Sequence, residues 1–153
     1  MAKYLVWALV IVVGSGVAIG ASLRVPFFSD EAGTTWTGGA PDGPGGADFI
    51  GVLNTTGSAL SCAITYREAG GVDRTPSPNT FTIPAYTSLS FRPGRDDPVQ
   101  ENTASLAVPN MDGARTGSCI ITWTGNGTDL QGRVHTIKSN EQQSQYGPMI
   151  GVD

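Results

Sequence analysis

Residues 59–67 read ALSCAITYR, and residues 118–124 read SCIITWT. In both stretches apolar residues alternate with small or polar ones, as at Cys62, Ile64 and Tyr66. Successive side chains of a strand point to opposite faces, so a period of two rich in β-branched residues is typical of half-buried antiparallel strands. The two stretches therefore predict strands with one face in a core.

Comparable short runs continue on both sides, separated by turn sequences rich in Gly, Pro, Asn and Asp. The predicted strands are 49–54, 59–67, 79–83, 87–92, 103–108, 118–124 and 132–138. About seven short strands without a convincing helix between them predict an all-β fold, an antiparallel, immunoglobulin-like β-sandwich. The predicted organisation is an N-terminal segment 1–24, a Gly/Pro-rich tether 25–47, the sandwich 48–138 and an irregular extension 139–153.

The N-terminal segment is apolar from residue 4 to residue 23, between Lys3 and Arg24. Twenty helical residues reach about 30 Å, the thickness of a bilayer core. One interpretation is an uncleaved transmembrane helix with a cytoplasmic N-terminus, in agreement with the positive-inside rule. The other is a signal peptide with a small-x-small cleavage site at residues 18–20. We favour the retained helix.

Small residues spaced four apart lie on one helix face and allow a second helix to approach closely. The predicted helix-packing residues are Gly14, Gly16, Ala18 and Gly20. Aromatic residues in or near the segment are candidates for contact with the membrane surface or with a partner. These interface candidates are Trp7, Phe27, Phe28 and Trp36.

Cys62 and Cys119 are the two cysteines, and each lies on the predicted core face of a strand. In an oxidising compartment, two cysteines on facing strands predict a disulfide between the sheets. The alternative is a pair of buried thiols that behave as small hydrophobes.

His135 is the one histidine, and no nucleophile motif accompanies it. One histidine and two distant cysteines do not supply the usual ligand set of a zinc site. We therefore predict no catalytic residues, no metal site and no cofactor. Nine basic against 13 acidic residues, a net charge of −4, also argue against nucleic-acid binding through a basic face.

The stretch 52–93, which includes TFTIPA and SLSFRP, resembles small β-sandwich modules of exported bacterial proteins. Lys3, the apolar span with its small residues and an outside domain together resemble single-span accessory subunits of bacterial membrane complexes. Photosynthetic reaction centre–antenna and respiratory assemblies contain such subunits. The resemblance implies a location in the inner membrane with a periplasmic domain. It implies integral membrane subunits and the lipid bilayer as partners, and no small-molecule substrate.

The leading functional hypothesis is thus a non-enzymatic accessory subunit whose sandwich braces its neighbours. One alternative is a secreted or surface-displayed module that binds carbohydrate or contacts cells, with Trp36, Tyr86 and Tyr146 as candidates for stacking on sugar rings. Another is a fibre subunit assembled by strand addition.

Overall fold

The structure, a computed structural model, describes residues 20–33, 46–98, 100–138 and 144–150. Its regular elements are eight strands and a 3₁₀ turn at Gly127–Asp129. The strands are β1 (Gly20–Ser29), β2 (Gly46–Asn54), β3 (Leu60–Glu68), β4 (Thr80–Ile83), β5 (Ser88–Phe91), β6 (Thr116–Thr124), β7 (Leu130–Lys138) and β8 (Ser144–Ile150).

The strands form two four-stranded antiparallel sheets. Sheet A has the order β1-β6-β3-β4, and sheet B has the order β5-β2-β7-β8. Their inward side chains share one core, to which sheet A contributes Leu23, Ile64 and Ile121 and sheet B contributes Ile50 and Leu89. The prediction of an all-β fold with two antiparallel layers is confirmed.

The core forms because the alternating pattern of β3 and β6 places one set of side chains inward. Along β3, residues 60, 62, 64 and 66 are buried, while residues 61, 65 and 67 are exposed. Tyr66 is fully buried, and its hydroxyl donates to the Pro109 carbonyl at 2.9 Å. Burial of one large apolar side chain stabilises a fold by about 1.5–3 kcal/mol, so this alternation fixes the register.

The predicted strand at 103–108 is wrong. Its backbone forms consecutive turns, in which Leu106 N donates to Asn102 O and Val108 N donates to Ser105 O. Bonds between residues three or four apart replace the ladder that a strand requires. The remaining six predicted strands overlap β2 to β7, and the sequence analysis did not anticipate β1 or β8.

Strand β1 corrects the prediction for residues 20–29. These residues were assigned to the end of a membrane helix and the start of a tether, but they pair with β6 along sheet A. Ala21, Leu23 and Val25 point into the core and are at most 1% exposed. The apolar character of this stretch therefore serves the sandwich core, and Gly20 begins a strand instead of lining a helix contact.

Within the part of the chain that the structure describes, no helix combines the length and the apolar character needed to cross a membrane. Trp7, Gly14, Gly16, Ala18 and Trp36 lie outside the described residues.

The predicted disulfide is also wrong, because both cysteines lie in sheet A. In the register of β3 and β6, Cys62 is opposite Trp123, and Cys119 is opposite Tyr66. The cysteines are thus offset by four residues along neighbouring strands, about 13 Å at the usual rise of a strand. A disulfide requires Cα atoms closer than about 7 Å. Both cysteines are buried free thiols.

Candidate binding groove on sheet B

A groove of about 370 Å³ crosses the outer face of sheet B. Its floor and walls come from residues 51–53 of β2, 88–90 of β5 and 131–133 of β7, and Asn102 adds a side wall. Three adjacent strands therefore build it, and the sandwich core lies directly beneath. Ligand pockets typically measure about 300–1,000 Å³, so this groove falls in the range for a small ligand or a short segment of a chain.

Strand pairing sets the groove residues in two rows. Leu53 is opposite Ser88 on one side and Gln131 on the other, while Gly51 lies between Ser90 and Arg133. These positions alternate with the buried residues of the same strands, so their side chains face outward. The outward side chains on β5 are small, and Gly51 has none. The outer surface is therefore lowest at the centre of the sheet, which forms the floor of the groove.

Gly51 and Arg133 are in close contact at the centre of the groove. A Cβ atom at Gly51 would lie 3.3 Å from Arg133 Cγ and 3.5 Å from Arg133 Nε. The arginine side chain therefore passes over the glycine, and any larger residue at position 51 would displace it. This arrangement explains why glycine occupies the middle of a strand, where it ordinarily weakens the sheet.

The groove combines several kinds of hydrogen-bonding group with one apolar surface. Ser88 and Ser90 carry hydroxyls, Gln131 and Asn102 carry amides, and Arg133 carries a guanidinium group. Leu53 is 36% exposed beside them. Hydroxyls and amides both donate and accept, so the groove suits a ligand with many hydroxyl groups and a C–H face.

The segment after β5 holds the Asn102 wall in place. Asn102 Oδ1 accepts from Ser105 N at 2.9 Å, and Ser105 Oγ accepts from Ser90 N at 3.0 Å. Glu101 Oε1 accepts from Arg92 N at 2.8 Å, and its other oxygen accepts from Asp97 N. The wall is thus fastened directly to the backbone of β5.

A fully buried arginine ties this segment to the end of β1. Arg92 Nε donates to Asp30 Oδ1 at 2.9 Å, and its Nη1 donates to Asp97 Oδ2 at 3.2 Å. The same guanidinium group also donates to the carbonyls of Ala32 and Gly33, each at 2.8 Å. All three charged side chains are 0% exposed.

Burial changes the proton affinity of the carboxyl groups in this cluster. It raises the pKa of Glu101 to about 7, and the charges of Asp96 and Asp97 act in the same direction. Burial also raises the pKa of Asp30 above its ordinary value, although Arg92 opposes that shift. The cluster therefore contains carboxyl groups that hold protons more tightly than exposed ones do.

A second, small core covers the other end of the same face. It consists of Ala32, Ala47 and Phe49, with Ile137 packed against them. His135 lies opposite Phe49, and burial, followed by the charge of Arg133, lowers its pKa. The groove lies beyond this small core along the same face, where Leu53 and Arg133 are exposed.

Within the described residues, the interface candidates Phe27 and Phe28 and the sugar-stacking candidate Tyr86 do not line the groove. Phe28 is fully buried and meets Tyr66 edge-on, with ring centroids 6.0 Å apart. Phe27 is 58% exposed on β1 of sheet A. Tyr86 is 73% exposed in the turn between β4 and β5, and it does not line the groove.

Sequence reasoning missed the groove because its residues come from three separate strands and match no motif. Small outward residues at Gly51, Ser88 and Ser90 were the available signal, but their alignment depends on strand order. Among the described residues, no group of three or more His, Cys, Asp or Glu side chains is arranged to hold a metal ion.

No known family of proteins matches the chain, and no curated protein matches it. A solved structure that is similar to it is that of Thermotoga maritima 1070. The two chains are 15% identical with a TM-score of 0.44, and the match covers 85% of this chain and 90% of the other.

Proposed function

We propose that this protein is an exported β-sandwich binding module whose groove on sheet B takes a saccharide. The observation that carries the proposal is the convergence of hydroxyl, amide and guanidinium groups around the exposed Leu53. Sugars present hydroxyl groups around an apolar ring face, and the groove offers partners for both. The immunoglobulin-like class of the sandwich is part of the same proposal.

The start of β1 supports export through a signal peptide. If Gly20 begins the first strand, the apolar stretch before it runs from residue 4 to residue 19, which is 16 residues. As a helix it would reach about 24 Å, less than the bilayer core of about 30 Å. A small-x-small cleavage site at residues 18–20 would release the sandwich with β1 almost complete.

The binding proposal is tested by filling the groove. Ser90→Leu places a larger side chain beside Gly51, whereas Thr82→Leu makes a matched change on β4, a four-residue edge strand like β5. Both positions are exposed, so we expect both variants to fold. On a saccharide array, the full wild-type chain and T82L should bind the same sugars, and S90L should lose them. No binding by the wild-type chain, or equal binding by S90L, would refute the proposal.

An accessory subunit of a bacterial inner-membrane complex, with a periplasmic sandwich, is the second candidate. The apolar segment after Lys3 and the 58% exposed Phe27 near the start of the sandwich support it. Intact-mass measurement on the membrane fraction distinguishes the two candidates. A full-length mass together with co-purifying membrane subunits would support the accessory role. Loss of about twenty N-terminal residues would support the binding module.

A further inference from the structure

We propose that Tyr86 is the platform of a second binding site, on which a neutral saccharide ring with a flat C–H face stacks. The site lies in the turn between β4 and β5 and is separate from the groove, so the inference goes beyond the proposed function. Tyr86 is 73% exposed, more than any other large hydrophobic side chain among the described residues. A broad aromatic ring that the fold leaves in solvent is accessible to a ligand.

The backbone at Tyr86 is strained for a residue of this size. Its φ of 53° lies in the left-handed region, and within the described ranges it is the one residue other than glycine with a positive φ. The Cβ of an L-residue is crowded in this conformation, which glycine and asparagine adopt more easily. Burial of the ring does not offset the strain, because the side chain is largely in solvent. Strained backbone of this kind clusters at active sites and ligand-binding sites, so it indicates a functional role for the ring.

The neighbouring turn holds Tyr86 in place. Its N–H donates to the Thr56 carbonyl at 3.1 Å. The fully buried Asn54 donates from its side-chain amide to the Pro84 carbonyl at 3.0 Å, which ties the start of the Tyr86 turn to the end of β2. The hydroxyl end of the ring lies against Gly57, where a Cβ atom would be 3.1 Å from Oη and 3.5 Å from Cζ. The fold therefore positions the ring, and a ligand that stacks on it loses less entropy in ordering it.

The surroundings of the ring favour a neutral sugar over a charged ligand or a protein. The two turns that meet at Tyr86 read TTGS at 55–58 and PAYT at 84–87, without a charged residue. A standard protein interface buries about 800 Å² per partner around a cluster of anchor residues, whereas these turns present one ring among hydroxyl groups and glycine. A pyranose with equatorial hydroxyls offers a C–H face to the tyrosine and hydroxyl groups to the polar atoms around it.

Cellotriose and lactose test the site, because both are uncharged and present flat C–H ring faces. In ¹H–¹⁵N correlation spectra of the full wild-type chain, we expect saturable chemical-shift changes at residues 56–58 and 85–87 with at least one of the two sugars. Tyr86→Asn removes the ring but suits the left-handed backbone, so its urea midpoint should equal or exceed that of the wild type. Y86N should bind about tenfold more weakly or worse, the loss expected for a stacking contact, whereas Tyr86→Trp should retain binding.

Phe27→Thr is the matched control. It removes another exposed ring, 58% exposed on β1, and should leave the affinity unchanged. A urea midpoint of Y86N below that of the wild type would show that the ring serves stability and would overturn the inference. Wild-type affinity in Y86N, or no shifts at 56–58 and 85–87 with either sugar, would also overturn it. Shifts confined to residues 51–53, 88–90 and 131–133 would exclude this second site and leave the groove standing.

Discussion

Arg92 is the clearest case of a residue whose role in this fold could not be predicted from the sequence around it. It sits in the run SLSFRPGRDD beside Arg95, and nothing in that run separates a buried arginine from an exposed one. Its environment comes from Asp30, 62 residues earlier in the chain, and from Asp97. Long-range ion pairs of this kind cannot be inferred from periodicity, because charged residues are almost always exposed.

Replacing Arg92 should destabilise the protein strongly. Arg92→Met removes the cation and deprives the buried carboxylates of Asp30 and Asp97 of their ion pairs with this guanidinium group. Removing one member of a buried ion pair typically costs about 3–5 kcal/mol. Urea unfolding of R92M should show a loss of this size, while Arg24→Met on the exposed face of β1 should change stability by less than about 0.5 kcal/mol. Equal stability of the two variants would contradict the assignment of Arg92 to the core.

Glu101 should make stability depend on pH. Its pKa is about 7 in the folded protein, against 4.5 ordinarily, so folding favours its protonated form. The stability that it contributes is fully present below about pH 4.5 and is lost as pH rises through 7. This change amounts to as much as about 3 kcal/mol.

Glu101→Gln isolates this contribution, since the effects of Asp30 and His135 remain in both proteins. The free energy of unfolding of the wild type, relative to E101Q, should fall between pH 4.5 and pH 7.5. Urea titrations at several pH values measure the difference. Parallel pH profiles for the two proteins would show that Glu101 does not titrate in this way.

The cysteines should behave as inert thiols. Both are buried, and burial raises the pKa of Cys62 to about 11 and that of Cys119 further. The thiolate is the reactive form, so neither should react quickly with a thiol reagent in the native protein. Titration with Ellman's reagent should count two thiols after denaturation without reductant. A count of zero would show that Cys62 and Cys119 form a disulfide and would contradict the assignment of free thiols.

At the scale of elements, the sequence predicted the strands in which apolar and polar residues alternate because one face packs on the core. Leu60, Ile64 and Tyr66 of β3 are buried in alternation with exposed residues, as their pattern indicated. Strand β1 was missed because its inward Ala21, Leu23 and Val25 continue an apolar run that also fits a membrane helix. At 103–108 alternation was present, but local turn bonds were formed instead of a ladder.

The outer edge of β5 is closed by side chains. The N–H groups of Ser90 and Arg92 donate to Ser105 Oγ and to Glu101 Oε1. Unpaired N–H groups on an edge strand recruit strands of other chains, and these two already have acceptors. At the edge of sheet A, β1 carries Pro26 and a break in register between Val25 and Phe28. Both features disfavour the alternative of fibre assembly by strand addition at these edges.

Ser105→Ala should reopen the β5 edge. Ser105 is 1% exposed, and its loss leaves the Ser90 N–H without that acceptor. We expect stability to fall by about 1–3 kcal/mol and self-association to increase at high protein concentration. Chemical unfolding and sedimentation velocity measure the two effects, with Ser61→Ala on the exposed face of β3 as the control. An S105A variant as stable and as monomeric as S61A would argue against the capping role.

At the scale of the whole molecule, two sheets share one core and sheet B carries the groove. The two-layer architecture could be predicted, because the alternation of apolar and polar residues within each strand indicates which of its faces is buried. The groove could not, since Gly51, Ser90 and Arg133 become neighbours only through the order β5-β2-β7. Small and polar outward residues are ordinary on a solvent-facing strand. Whether they form a groove depends on which residues lie beside them on the neighbouring strands.

The most direct test of the central claim is to map the ligand on the molecule. In ¹H–¹⁵N correlation spectra of the full chain titrated with the saccharides of the array, we expect chemical-shift changes in residues 51–53, 88–90 and 131–133, which line the groove. Outward residues of sheet A, such as Thr82 and Thr122, should remain unaffected. Shifts confined to sheet A, or no shifts with any saccharide, would contradict a saccharide-binding groove on sheet B.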